Sequence, residues 1–201
     1  MSKKVVSKSE AAPKLQLDGK YILRLAGTLL AICGVVALLL GVVNSFTEPV
    51  IQEHKAEKTA KAMAQVLEAD SYEPVECSYP GVAALHEAKS GGTLLGHVVE
   101  VKANGFGGAM SIVVGVDTEG TVTGVVVTEN KETPSVGSKV VGDQKVLDRF
   151  IGMSHEGGEI TVNSGNNSFD GVSGATVSSK GVAAGVNTAL SAVESLKGGN
   201  N

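Results

Sequence analysis

A chain of 201 residues with 42% hydrophobic and 19% charged side chains has room for one folded domain and an additional segment, and its composition is neither that of a disordered chain nor of a disulfide-stapled one. Two cysteines and four scattered histidines show no zinc-like or haem-like spacing, which argues against a metal centre built within this chain alone. The net charge of −4 is unevenly spread: through Arg24 six basic and two acidic side chains give +4, so the remainder carries −8 and gives no reason to expect nucleic-acid binding.

Residues 1–20 are polar and Lys-rich, contain Pro13, and read as a short tail. From Leu25 to Thr47 there is no charge, and Leu25 to Val43 (LAGTLLAICGVVALLLGVV) at about 1.5 Å per residue covers most of a ~30 Å hydrocarbon core. A cleaved secretory signal has only ~7 to 15 apolar residues, so a retained transmembrane helix is expected over 21–45, with Arg24 snorkelling to the headgroups. The basic residues before the span place the tail in the cytoplasm and everything after about Asn44 outside. Gly27, Ala31, Gly34, Ala37 and Gly41 offer a face for a neighbouring membrane helix, although such residues are common in any span. Cys33 in the span and Cys77 far beyond it lie at different depths, which predicts two free thiols. Cys33 is then a small apolar side chain, or a ligand of a cluster shared with a partner subunit.

Thr47-Glu48-Pro49 punctuates the exit from the bilayer. Val50, Ile51, Ala56, Ala60, Met63 and Leu67 recur at helical steps and predict an amphipathic linker helix within 46–72. Beyond Pro74 the character changes: Leu94 to Lys102, Met110 to Val116 and Thr121 to Thr128 are β-branched runs, the last two joined by the Asp117-Thr118-Glu119-Gly120 turn. The Asn104-Gly105-Phe106-Gly107-Gly108 loop joins strand to strand and leads into no helix, so it is no dinucleotide fingerprint; it reads as a tight connection near a ligand face. Val140 to Ile151 predicts a short helix with Val140, Val146, Leu147 and Phe150 inward, and the adjacent His155 and Glu156 read as solvated. Ser164 to Ser168 is a polar loop.

From Thr176 the apolar positions Val177, Val182, Val186, Leu190, Val193 and Leu196 predict a final helix that stops at Gly198-Gly199, with Lys197 suiting its negative end. Just before it lies Asp170-Gly171-Val172-Ser173-Gly174-Ala175-Thr176. Two glycines allow a tight bend, Ala175 adds little bulk, and the hydroxyls of Ser173, Thr176, Ser178 and Ser179 surround a helix start whose free N–H groups favour an anion. A serine-rich N-cap is the plainer reading of the same residues. The pattern Asp-x-x-(Ser/Thr)-Gly-Ala-(Thr/Ser) resembles the signature at which flavin transferases esterify FMN, through its phosphate, to the last hydroxyl, here Thr176. No nucleophile–base pair stands out, so no catalytic residue is assigned.

With the segment Asn44 to Pro49 after a single anchor, Gly105 to Met110 before a Val-rich strand, and Glu132-Thr133-Pro134, the chain is similar to the G subunits of the Rnf complex, a membrane-bound ion-translocating ferredoxin:NAD oxidoreductase. It is less similar to the C subunits of the Na⁺-pumping NADH:quinone reductase, the alternative; a non-redox tethered module is a third reading. The resemblance implies an α+β protein: a transmembrane helix, then an extracytoplasmic FMN-binding domain over 73–198 with an antiparallel sheet and flanking helices. It also implies FMN covalently bound at Thr176, with Asp170, Ser173, Gly174 and Ala175 as the flanking motif and Glu132 and Thr133 near the flavin. Its implied partners are the other membrane subunits and a flavin transferase. Ser135 and Val136 stand where Gly and Leu are usual in that segment, which weakens a backbone contact at Ser135 and leaves Thr176 untouched.

Overall fold

The computed structural model describes residues 19–134 and 137–198; the tail before Gly19, Ser135-Val136 and Gly199 onward lie outside the described residues. The chain divides between Gln52 and Glu53 into two compact units. Helix α1 (Gly19–Val66) begins in the first and ends in the second. In the first unit the apolar side chains from Leu23 to Val43 are exposed all round, as a lipid-facing helix requires. Among the described residues α1 is the one helix long and apolar enough to cross a membrane.

The helix continues through Thr47-Glu48-Pro49, with Pro49 inside α1. Proline removes one backbone donor, a loss of one ladder bond that a long helix tolerates. The helix expected within 46–72 stops at Val66, and strand β1 (Ser71–Val75) occupies the end of that range. The stop has a cause. The Val66 carbonyl accepts from Thr123 Oγ1 at 2.6 Å and the Leu67 carbonyl from Tyr72 Oη at 2.8 Å, so terminal carbonyls are satisfied by side chains of the sheet. Ala56 and Ala60 are exposed; Ala62, Met63 and Val66 are the residues that pack.

The second unit is built on an antiparallel meander of β1, β2 (Val82–Ser90), β3 (Thr93–Asn104), β4 (Ala109–Asp117) and β5 (Val122–Glu129) in sequence order. The β-branched runs of β3 to β5 form strands where expected. Strands β1 and β2 are additional, and β2 (VAALHEAKS) has little intrinsic β preference: its pairing along nearly the whole of β3 makes it a strand. Pro74 is tolerated because β1 is an edge.

Both faces of the sheet are covered. On one, Val98, Val113 and Ala88 meet Ala62, Met63 and Val66. Gly115 and Gly124 are directly paired across β4 and β5, and a Cβ on Gly124 would lie 2.8 Å from Val66 Cα, so the glycine pair is the platform on which the end of α1 rests. On the other face, Leu85, Val99, Val101, Ile112, Val114 and Val116 form the main core with helix α4 (Thr176–Gly198), whose Val182, Val186, Ala189, Leu190 and Val193 are buried. Phe150, Val140, Val146 and Leu147 join that core as predicted, but from two short helices, α2 (Ser138–Val141) and α3 (Gln144–Leu147), and a single 3₁₀ turn (Asp148–Phe150). The interruption falls at Gly142, which caps α2, and at Asp143, which caps α3 by accepting from the Lys145 N–H. Short parallel strands β6 (Thr161–Val162) and β7 (Ser168–Phe169) flank the Ser164 loop. Cys33 and Cys77 are free thiols. The architecture is α+β, with an antiparallel sheet and flanking helices.

Candidate functional site

The segment leading into α4 is held by its main chain. Val172 to Ala175 forms a β-turn closed by the Ala175 N–H donating to the Val172 carbonyl at 3.0 Å; Gly174 occupies its third position at φ +80°, a conformation that type II turns reserve for glycine. Three side chains fix the approach: Arg149 donates to the Asp170 carbonyl, Asn163 Oδ1 accepts from the Gly171 N–H at 2.8 Å, and Ser179 Oγ accepts from the Val172 N–H at 3.2 Å. Asn163 does so from φ 57°, a left-handed conformation that asparagine accepts better than most residues.

The Ser179 N–H donates to the Ala175 carbonyl, which makes Ala175 the helix N-cap and leaves the N–H groups of Thr176, Val177 and Ser178 without an intrahelical acceptor. Thr176 is exposed at this positive end of a helix of 23 residues. Ala175, Ser178 and Ser179 are buried below it, whereas Ser173, Gly174 and Asp170 are exposed. Val177, the first of the apolar positions that predict the helix, is 53% exposed: at the second helical position it lines a cleft of about 250 Å³. That cleft is lined by Phe106 and by Gly174 through Ser178, and its surface is mainly apolar.

Glu132 joins this arrangement from a distant part of the sequence. Its side chain is buried; Oε2 accepts from Ser178 Oγ at 2.9 Å and Oε1 from the Gly107 N–H at 3.3 Å. Asn130 Oδ1 orders the same segment by accepting from the Glu132 N–H at 3.1 Å. A Cβ on Gly105 or Gly137 would overlap the Glu132 carboxylate, and one on Gly107 would overlap the Lys131 carbonyl. The three glycines therefore form a cradle around Glu132, and the Gly105–Gly108 loop lies against the 131–132 backbone. Thr133 is exposed, and its carbonyl accepts from the Ser138 N–H, at the start of α2, at 3.4 Å.

Sequence reasoning missed the tethers Arg149, Asn163 and Asn130, whose roles depend on long-range approach. It also misread His155. That imidazole is not solvated: a 3₁₀ turn (His155–Gly157) docks it on α4, with Nδ1 3.2 Å from Glu194 Oε2 and Nε2 3.3 Å from Asn187 Oδ1. Among the described residues no group of three or more His, Cys, Asp or Glu is placed to hold a metal ion.

The geometry defines a class: a membrane-anchored α+β protein that presents a threonine hydroxyl at a helix N-terminus beside an apolar cleft. Residues 105–191 match the FMN-binding domain family, a range that holds the glycine loop, Glu132 and Thr176 alike, and residues 15–66 match the RnfG N-terminal region. The G subunit of the Na⁺-translocating ferredoxin:NAD⁺ oxidoreductase complex of Acetobacterium woodii is 28% identical over 206 residues, covering 93% of this chain and 99% of that one. The G subunit of the ion-translocating oxidoreductase complex of Yersinia pestis is 31% identical over 176 residues, covering 79% and 83%. The C subunit of the Na⁺-translocating NADH-quinone reductase of Parabacteroides distasonis superposes with a TM-score of 0.47 and 22% identity over 54% of this chain and 59% of that one. The chain belongs to the family of ion-translocating oxidoreductase complex G subunits.

The residues present suit FMN. Free helix N–H groups and a hydroxyl serve a phosphate, and the apolar cleft beside them serves a flat ring. The protein is a flavin-binding, membrane-anchored subunit of an oxidoreductase complex.

Proposed function

We propose that this chain carries electrons within an ion-translocating ferredoxin:NAD oxidoreductase complex, on FMN joined by a phosphoester to Thr176. The observation that supports this most directly is the exposed Thr176 hydroxyl at a helix N-terminus, in a backbone pinned by Arg149, Asn163 and Ser179. Bound FMN supplies the redox chemistry, taking up and passing on electrons. The chain's own residues tether and orient. Thr176 Oγ would form the new O–P bond as the P–O–P anhydride bond of an activated flavin phosphate breaks, with the other phosphate half of the anhydride and the hydroxyl proton released to solvent, a step for a flavin transferase that reads Asp170, Ser173, Gly174 and Ala175. The N–H groups of Thr176 to Ser178 would stabilise the charge of the resulting diester. Glu132, through Ser178 and Gly107, fixes the helix start against the glycine loop, and Thr133 borders the same site.

Residues 21–45 form the span and about 73–198 the flavin domain. The basic tail keeps the N-terminus in the cytoplasm and the domain outside; labelling of a cysteine introduced at exposed Glu119 by a membrane-impermeant thiol reagent in intact cells checks this, and protection until lysis refutes it. The test of function is in-gel flavin fluorescence after denaturing electrophoresis, with a flavin transferase co-expressed. A fluorescent wild type and a dark Thr176→Ala support the proposal; a dark wild type, or a fluorescent Thr176→Ala, overturns it.

A further inference from the structure

Outside α1, three large hydrophobic side chains stand exposed among the described residues: Phe106, Ile151 and Val177. Two of the three line the cleft beside Thr176. Phe106 is there for a structural reason. The Gly105 N–H donates to the Gly108 carbonyl at 2.9 Å, closing the loop between β3 and β4, and the glycines on either side of Phe106 let the backbone lie flat on Lys131 and Glu132. The one side chain of size in the loop is thereby turned outward, 71% exposed. The hydrogen bonds from Gly107 and Ser178 to the one Glu132 carboxylate hold this loop and the start of α4 together, so Phe106 has a fixed position relative to Thr176.

Resting on the Thr176 reading, we infer that Phe106 is the seat of the flavin ring: the isoalloxazine attached through Thr176 folds back into the adjoining cleft and packs on Phe106, with Val177 as the second wall. An aromatic face offers a flat heterocycle offset stacking, and the packing removes two exposed apolar side chains from water. The tether selects the occupant. The ring is bonded to a residue that lines the same cleft, so its effective concentration there exceeds that of any free ligand. Glu132 is a positioning residue that acts through the loop.

The test is the fluorescence of the attached flavin in the full-length, detergent-solubilised protein, scaled to the flavin content given by intact mass. An indole in contact with an excited flavin quenches it by electron transfer. Phe106→Trp is therefore expected to lower fluorescence per flavin severalfold, while Glu119→Trp, in the turn near the opposite end of α4, leaves it unchanged. Glu132→Gln in the Phe106→Trp background restores part of the emission as the loop loosens. Phe106→Ala lowers the anisotropy of the flavin emission by freeing the ring. A full flavin mass with equal emission from Phe106→Trp and Glu119→Trp overturns the inference, and leaves the Thr176 assignment standing. Absence of the flavin mass from wild type overturns both.

Discussion

Replacing Glu132 by alanine probes how the site is assembled, and its cost can be worked from two bonds. The change removes the acceptor of Ser178 Oγ at 2.9 Å, and Ser178 is wholly buried, so the stranded hydroxyl costs about 1–3 kcal/mol. The bond from the Gly107 N–H is longer, 3.3 Å, and its loss adds at most about 1 kcal/mol. Releasing a carboxylate from a site only 9% exposed acts in the opposite direction, so a net loss of about 1–3 kcal/mol is expected. At roughly 2–4 °C per kcal/mol for a unit of this size, the melting temperature falls by about 2–12 °C. The assay is thermal unfolding of the full chain in detergent, followed by circular dichroism, as a double-mutant cycle with Ser178→Ala. If the hydroxyl–carboxylate bond carries the effect, Glu132→Ala costs at least about 1 kcal/mol less in the Ser178→Ala background. Additive single effects, or a loss below about 0.5 kcal/mol, would refute the view that Glu132 clasps the loop to the helix.

Other perturbations test other parts of the molecule. Gly124→Ala drives a methyl against the Val66 backbone and is expected to cost about 1–3 kcal/mol in urea unfolding, whereas alanine at Gly120, where the nearest atom is the mobile Lys197 Nζ at 3.7 Å, acts only through its φ of +95°. Phe150→Ala empties the fully buried ring that packs on Phe169 at a centroid distance of 4.3 Å; about 3–5 kcal/mol is expected. Thr176→Ser keeps a hydroxyl at the helix start and should retain the flavin mass that Thr176→Ala loses.

Stability should also depend on pH through two imidazoles. Burial holds His97 below its ordinary value of 6.5, with Lys197 adding to the effect and Glu87 opposing it; burial does the same to His86 against Glu100. Each has a buried Nδ1 with no hydrogen-bond partner. The unfolded chain takes up protons at higher pH than the folded one, so the contribution of these residues is complete above about pH 6.5 and is lost as pH falls toward the depressed folded values. Urea midpoints at pH 8 and pH 5.5 measure it: the difference should shrink in His97→Gln, and a midpoint that rises on acidification contradicts the assignment.

Local chemistry is legible in the sequence wherever one residue type answers to one constraint. An uncharged run from Leu25 to Thr47 can only be a span or a wholly buried helix. The β-branched runs of β3, β4 and β5, and the small-residue turn before Thr176, require no distant partner to be recognised. Strand β2 did require one. Its Ala-rich sequence has no strand preference of its own, and only the length of its pairing with β3 supplies the hydrogen bonds that extend it. For the same reason α1 runs past Pro49 and stops at Val66: its terminal carbonyls are met by Thr123 and Tyr72, which the sequence places 57 and 5 residues away from their acceptors.

The sequence by itself determined that a threonine would open the last helix with little bulk around it. Tertiary structure alone decided what surrounds that threonine. Glu132 and Ser178 are 46 residues apart, Gly107 and Glu132 are 25 apart, and no periodicity relates them. They meet because α4 packs on the face formed by β3 and β4, because β5 pairs with β4 and so returns the chain beside the β3–β4 loop, and because glycines at 105, 107 and 137 leave the space that a carboxylate fills. Burial then forces the carboxylate to find donors, and those donors fix where Phe106 stands.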